Sequence, residues 1–85
     1  MNYRVDAITD LNNNPKTDPI ATSRLGRIVQ FDEPVAIGKP LFMECVFPGF
    51  LKSMITTPVE YSVSDGRDLV VVTKNSKYYL IMVED

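Results

Sequence analysis

The chain contains no histidine and a single cysteine, Cys45. Without histidine, both the commonest general base and the commonest metal ligand are missing. A zinc site of the usual Cys/His composition has no ligands to draw on. One cysteine cannot form an internal disulfide, which fits a reducing compartment, and a cytoplasmic location is the expectation. The segment "MNYRVDAITD" lacks the basic start and apolar run of a secretory signal. No apolar run approaches the roughly 18 residues that a membrane-spanning helix needs.

A basic excess is also missing. Nine Lys and Arg face eleven Asp and Glu, a formal net charge of −2. Duplex-binding domains usually carry the opposite balance, so general nucleic-acid binding is disfavoured. There is no internal repeat and no glycine-rich phosphate loop. "DLNNNPKTD" does not carry the spaced acids of an EF-hand. The paired acids "DE" at 32–33 and "ED" at 84–85 read as turn chemistry and a solvated chain end. Cys45 lies in an apolar stretch with no base to activate it and reads as a buried, inert small residue. No enzyme chemistry and no cofactor are expected.

What remains is β sequence. The 85 residues make one domain, 1–85. A chain of this size buries only about 60–65% of the surface its unfolded form exposes, so self-association or a partner would help it. Hydrophobic content is 45%, well outside the disordered class. Most apolar runs are short, rich in Val, Ile, Tyr and Phe, and bounded by Gly, Pro, Asn or Asp, which is the strand signal.

Strands are expected at Tyr3–Ile8, where Tyr3, Val5 and Ala7 alternate with Arg4 and Asp6, and at Leu25–Phe31. Further strands are expected over "KPLFMECVF" and at Val59–Val63. Residues 9–23 form a long polar loop whose prolines and asparagines argue against a regular element, although "DLNNNP" has room for one helical turn. "PGF" at 48–50 suits a type II turn. The apolar connection 47–58, with Phe47, Phe50, Leu51, Met54 and Ile55, reads as a short helix plugging a barrel end or, alternatively, as a binding loop.

The end of the chain, "DLVVVTKNSKYYLIMVED", reads as a hairpin. A two-residue turn at Asn75–Ser76 places Lys74 opposite Lys77, Val71 opposite Leu80 and Leu69 opposite Met82. A three-residue loop around Gly66 places Tyr61 opposite Leu69 and Val59 opposite Val71. Val59, Tyr61, Leu69, Val71, Leu80 and Met82 then share the core face. The other face carries Glu60 and Ser62 on one strand, then Val70, Val72, Tyr79 and Ile81, with Phe42 or Val46 as additions, and is half apolar, which a free surface rarely is. Barrel closure, the 9–23 loop or another molecule would cover it. The fold expectation is all-β: a small SH3-like barrel or roll of five to six mostly antiparallel strands, with at most a short helical turn.

"TTPVEYSVSDGRDLVVVTKNSKYYL" resembles an arrangement in small β-barrel proteins of Gram-positive bacteria and their phages. The matching positions are Thr56, Thr57, Pro58 and Val59, then Thr73, Lys74, Asn75, Ser76, Tyr78 and Leu80. They span about the last third of the chain, and "RIVQFDEPVAIGKPLFM" is similar more loosely. That family has no assigned activity, so the resemblance implies a small barrel of mobile-element origin and nothing catalytic.

Three functions follow as expectations. The first is a non-enzymatic module acting through a protein surface. Its interface candidates are Val70, Val72 and Ile81, and it self-associates, a dimer being the first guess. If phage-encoded, such a module suits an accessory or anti-defence role in which it occupies a host factor. The second is an oligomeric barrel holding a small anion such as a nucleotide through Arg24, Arg27, Lys74 and Lys77 with Tyr78 or Tyr79. The third is a single-strand nucleic-acid binder that stacks a base on a tyrosine.

Overall fold

A computed structural model describes residues 2–31, 35–47 and 53–83. It shows a closed barrel of six antiparallel strands with one short helix. The strands are β1 (Asn2–Thr9), β2 (Ile28–Gln30), β3 (Pro40–Phe47), β4 (Ser53–Asp65), β5 (Asp68–Thr73) and β6 (Lys77–Val83); α1 spans Pro19–Arg24. Each strand pairs with its sequence neighbours and β6 returns to β1, so every strand has a partner on both sides. Closure removes the sheet edge that so small an open roll would expose. The "PGF" turn, the "DE" and "ED" pairs and part of the apolar connection lie outside the described residues.

The interior is filled from every strand. Tyr3, Val5, Val29, Met43, Val59, Val71 and Leu80 are almost wholly buried and belong to one cluster. Tyr3 stacks on Phe31 with ring centroids 5.1 Å apart. A bulge between Val5 and Ala7 breaks the alternation of β1. It turns Asp6 outward and sends Ile8, rather than Ala7, into the core.

Three local expectations are corrected. First, residues 19–24 are helical. Asp18 caps the helix, its Oδ2 accepting from the Ala21 N–H at 3.1 Å, and Pro19 stands in the first turn, where its missing N–H costs nothing. The helical turn thus falls downstream of "DLNNNP". Second, residues 53–58 are strand, not a helical plug. Met54 and Thr56 point inward while Ile55 and Thr57 are exposed, a period of two. The Thr56 hydroxyl accepts from the Leu41 N–H at 2.9 Å, close to the irregularity in the β3–β4 ladder.

Third, both terminal turns sit elsewhere. The β5–β6 turn falls on Lys74–Asn75, and the register pairs Val72 with Lys77, Val71 with Tyr78 and Leu69 with Leu80. Thr73 decides it. Its backbone N–H and its hydroxyl both donate to the Ser76 carbonyl, and its Oγ1 accepts from the Ser76 N–H. The slip is two residues, so each residue keeps its face. The β4–β5 turn is tighter than a three-residue loop: Asp65 pairs with Asp68 around Gly66–Arg67. Gly66, at φ 63°, takes the first central position with the sign of a type II′ turn. This slip is odd-numbered, and a bulge between Val59 and Tyr61 absorbs part of it. Val59 stays in the core, while Tyr61 turns outward, opposite Val72.

Candidate functional site

The outer face of β4, β5, β6 and β1 is ordered in three rows. Asp65, Asp68, Ile81 and Arg4 form the first; Val63, Val70, Tyr79 and Ala7 the second; Tyr61, Val72, Lys77 and Thr9 the third. The centre of this face is apolar. Val63 is 54% exposed and Tyr61 50% exposed, and Val70, Tyr79 and Ile81 are half-buried. A groove of about 480 Å³ opens between Val63, Val70, Tyr79 and Ile81, with Asp6, Asp65 and Asp68 along its rim. Phe42 and Ile55, directly paired on β3 and β4, add two more exposed apolar side chains, at 54% and 56%.

The charges on this face are separated. At one end Asp6, Asp65 and Asp68 outnumber Arg4 and Arg67. At the other, Lys74 and Lys77 stand with Glu60, which lines the same pocket as Lys74, and with Asp10, which follows the Lys77-paired Thr9. Arg4 bridges to Asp6 at 3.5 Å between exposed side chains, a contact worth little in water.

The loop after β1 is built against this face. Asp10 Oδ1 accepts from the backbone N–H groups of Asn12 at 2.8 Å and Asn14 at 3.0 Å. The hydrogen bond from the Asn14 backbone is the larger cause holding the Asp10 carboxyl below its ordinary range. Asn13 adopts the left-handed conformation at φ 68°. Its Oδ1 accepts from Lys77 Nζ at 2.9 Å and from the Tyr79 hydroxyl at 3.1 Å. Part of the long polar loop therefore borders the Lys77 end of this face.

The sequence-derived residues fall into two groups. Val70, Val72 and Ile81 share the outer face with Lys77 and Tyr79; Val72 is buried there, and Lys74 lies in the adjoining turn. Arg24 and Arg27 sit elsewhere, where α1 meets the barrel. Arg24 Nη1 donates to the Tyr78 hydroxyl at 2.7 Å and Nη2 to the Ile55 carbonyl at 3.4 Å. Arg27 Nε donates to the Ser23 carbonyl at 2.9 Å, and Nη1 approaches Cys45 Sγ at 3.7 Å. Alternation sends Tyr78 inward toward Arg24 and Tyr79 outward toward Asn13, so the four cations do not converge on one tyrosine. Sequence reasoning missed Tyr61, Val63 and Asn13. The first two depended on the β4–β5 register, and the only local signal for Asn13 is the left-handed tolerance of asparagine.

Comparison with protein-family models, with curated proteins and with solved structures finds no match. Among the described residues no helix is long and apolar enough to cross a membrane, and no group of acids and cysteine is placed to hold a metal.

Proposed function

We propose that this protein is a binding module without catalytic chemistry, that its working surface is the outer face of β4–β6, and that a second copy of the chain occupies it. One observation carries the reading. The barrel interior is already filled by Tyr3, Val5, Val29, Met43, Val71 and Leu80, so Tyr61, Val63, Val70, Tyr79 and Ile81 make a second apolar surface that the core does not use. Aromatic and aliphatic anchors inside a charged rim are the usual composition of a protein interface.

One feature favours a second copy over a different partner: the charge pattern is self-complementary. A two-fold axis lying in the interface and running across the strands sets the Asp65–Asp68 end of one copy over the Lys74–Lys77 end of the other. The apolar centres then meet. Isologous dimers need this kind of self-matching patch. Paired this way, the thin core of an 85-residue chain gains a shared layer.

The test is charge reversal followed by sedimentation equilibrium. Asp68→Lys is expected to weaken the dimer by about tenfold or more, in the range of one charge contact at an interface. Asp68→Lys combined with Lys77→Glu is expected to recover part of that loss. If the double variant is weaker than the sum of its single variants, the two-fold arrangement is wrong.

A further inference from the structure

The geometry points to a binding site for a compact oxyanion group, a phosphate or a carboxylate, in the cavity between α1 and the β3–β4 end of the barrel, held by Arg24 and Arg27. The cavity measures about 220 Å³ and is lined by Ile20, Ser23, Arg24, Arg27, Cys45 and Ser53, with Met54 completing the wall. It is separate from the outer-face groove and does not depend on what occupies that groove.

Arg24 and Arg27 are both half-buried residues. Their hydrogen-bond acceptors among the described residues are all neutral: the Tyr78 hydroxyl, the carbonyls of Ile55 and Ser23, and the Cys45 sulfur. Among the described residues no carboxylate pairs with either one. Two like charges that share one partly buried cavity without a counter-ion are electrostatically incomplete, and an anion between them supplies what the protein does not. Donors are available for it. A guanidinium has five N–H groups, and the described contacts leave the Arg24 Nε and the Arg27 Nη2 without a protein acceptor. The hydroxyls of Ser23 and Ser53 border the same space, although Ser23 Oγ itself donates to the Ile20 carbonyl at 2.7 Å.

The site is also preorganised. The Arg24 fork is fixed by Tyr78 from β6 and by the Ile55 backbone of β4, and Arg27 is tied back to α1 through Ser23. Rigid placement of planar guanidinium groups suits oxyanions better than mobile lysines do. Size limits the ligand. The cavity falls below the roughly 300–1,000 Å³ of pockets that enclose drug-sized molecules, so it takes an oxyanion group and little more, not an enclosed nucleotide.

The experiment titrates the full chain with inorganic phosphate and, separately, with acetate, at constant ionic strength set by chloride. It follows backbone amide NMR shifts in the wild type and in Arg27→Gln. The expected result is a saturable perturbation confined to Ser23, Arg24, Arg27, Cys45 and Ser53, with the apparent Kd raised about tenfold or more in Arg27→Gln, as expected for one charge-assisted contact. A response to phosphate alone assigns a phosphate source, and a response to acetate alone a carboxylate source. A non-saturating response to both, or shifts that map outside this cavity in the wild type, overturns the site. So does equal affinity in Arg27→Gln. The wild-type map decides the matter even if the variant folds poorly.

Discussion

Arg24 and Tyr78 are 54 positions apart in the chain and meet at 2.7 Å, guanidinium Nη1 to phenolic oxygen. This contact ties the only helix among the described residues to the last strand of the barrel. Tyr78 points inward from β6 with its ring buried in the core cluster, and its hydroxyl reaches the barrel end where α1 lies. Tyr78→Phe keeps the ring and removes the acceptor. It is expected to cost about 1.5–3 kcal/mol in chemical denaturation, the range for a hydrogen bond to a charged group. The double variant with Arg24→Gln is expected to be less destabilised than the two single effects added together, because both remove the same bond.

The Thr73–Ser76 pair sets the β5–β6 register. Thr73 is 1% exposed and its hydroxyl both donates to and accepts from the Ser76 backbone. Thr73→Val preserves shape and leaves the Ser76 N–H unpaired in a buried position. The expected loss is about 1–3 kcal/mol, measured by urea unfolding. Thr73→Ser keeps the hydroxyl and is expected to stay within about 1 kcal/mol of wild type, since only a methyl is lost.

Gly66 provides a different test of turn chemistry. A Cβ there would meet no atom within 4 Å, so crowding is absent and only the φ of 63° opposes substitution. Gly66→Ala is expected to cost about 1–2 kcal/mol in thermal or urea unfolding, the penalty of a left-handed L-residue. A neutral result would mean that the β4–β5 turn does not need this conformation.

Asp10 predicts a pH response. Its carboxyl is held below the ordinary 3.8 by hydrogen bonds that favour the charged form, the Asn14 backbone first. A lowered folded-state value means that the stabilisation is complete above the unfolded value and is lost as pH falls through the folded one. Order in residues 10–14 should therefore be constant from neutral pH down to about 4 and decline below that. Amide exchange at Asn12 and Asn14 reads this directly. Asp10→Asn should abolish the acid-dependent step.

The sequence made the strands legible because Val, Ile and Tyr runs alternate between clear punctuation. It also made the barrel interior largely legible: Val59, Leu69, Val71 and Leu80 are where parity puts them. Registers were not legible. The Asn75–Ser76 reading ignored what the Thr73 hydroxyl does to Ser76, and the Gly66 reading chose the longer of two loops that glycine permits. An even slip left Val70, Tyr79 and Ile81 on the expected face, whereas the odd slip and its bulge moved Tyr61 from core to surface. The α1 helix had a signal in "DPIATSR", a capping aspartate followed by proline, that the surrounding asparagines and prolines masked. The 53–58 strand had one too, in the alternation of Met54, Ile55, Thr56 and Thr57. Tyr61 and Val63 of the outer patch, and the pairing of Asn13 with Lys77 and Tyr79, follow only from the folded registers.

The central claim is that the outer face of β4–β6 joins two copies of this chain. The most direct measurement is solution mass by light scattering after size exclusion, across a dilution series, for the wild type and Val63→Lys. Val63 is more than half exposed, so a lysine there leaves the core intact. A dimer joined through this face gives twice the 9.6 kDa chain mass for the wild type and a folded monomer for the variant. A wild type that stays monomeric at every concentration, or a Val63→Lys variant that remains a dimer, contradicts it.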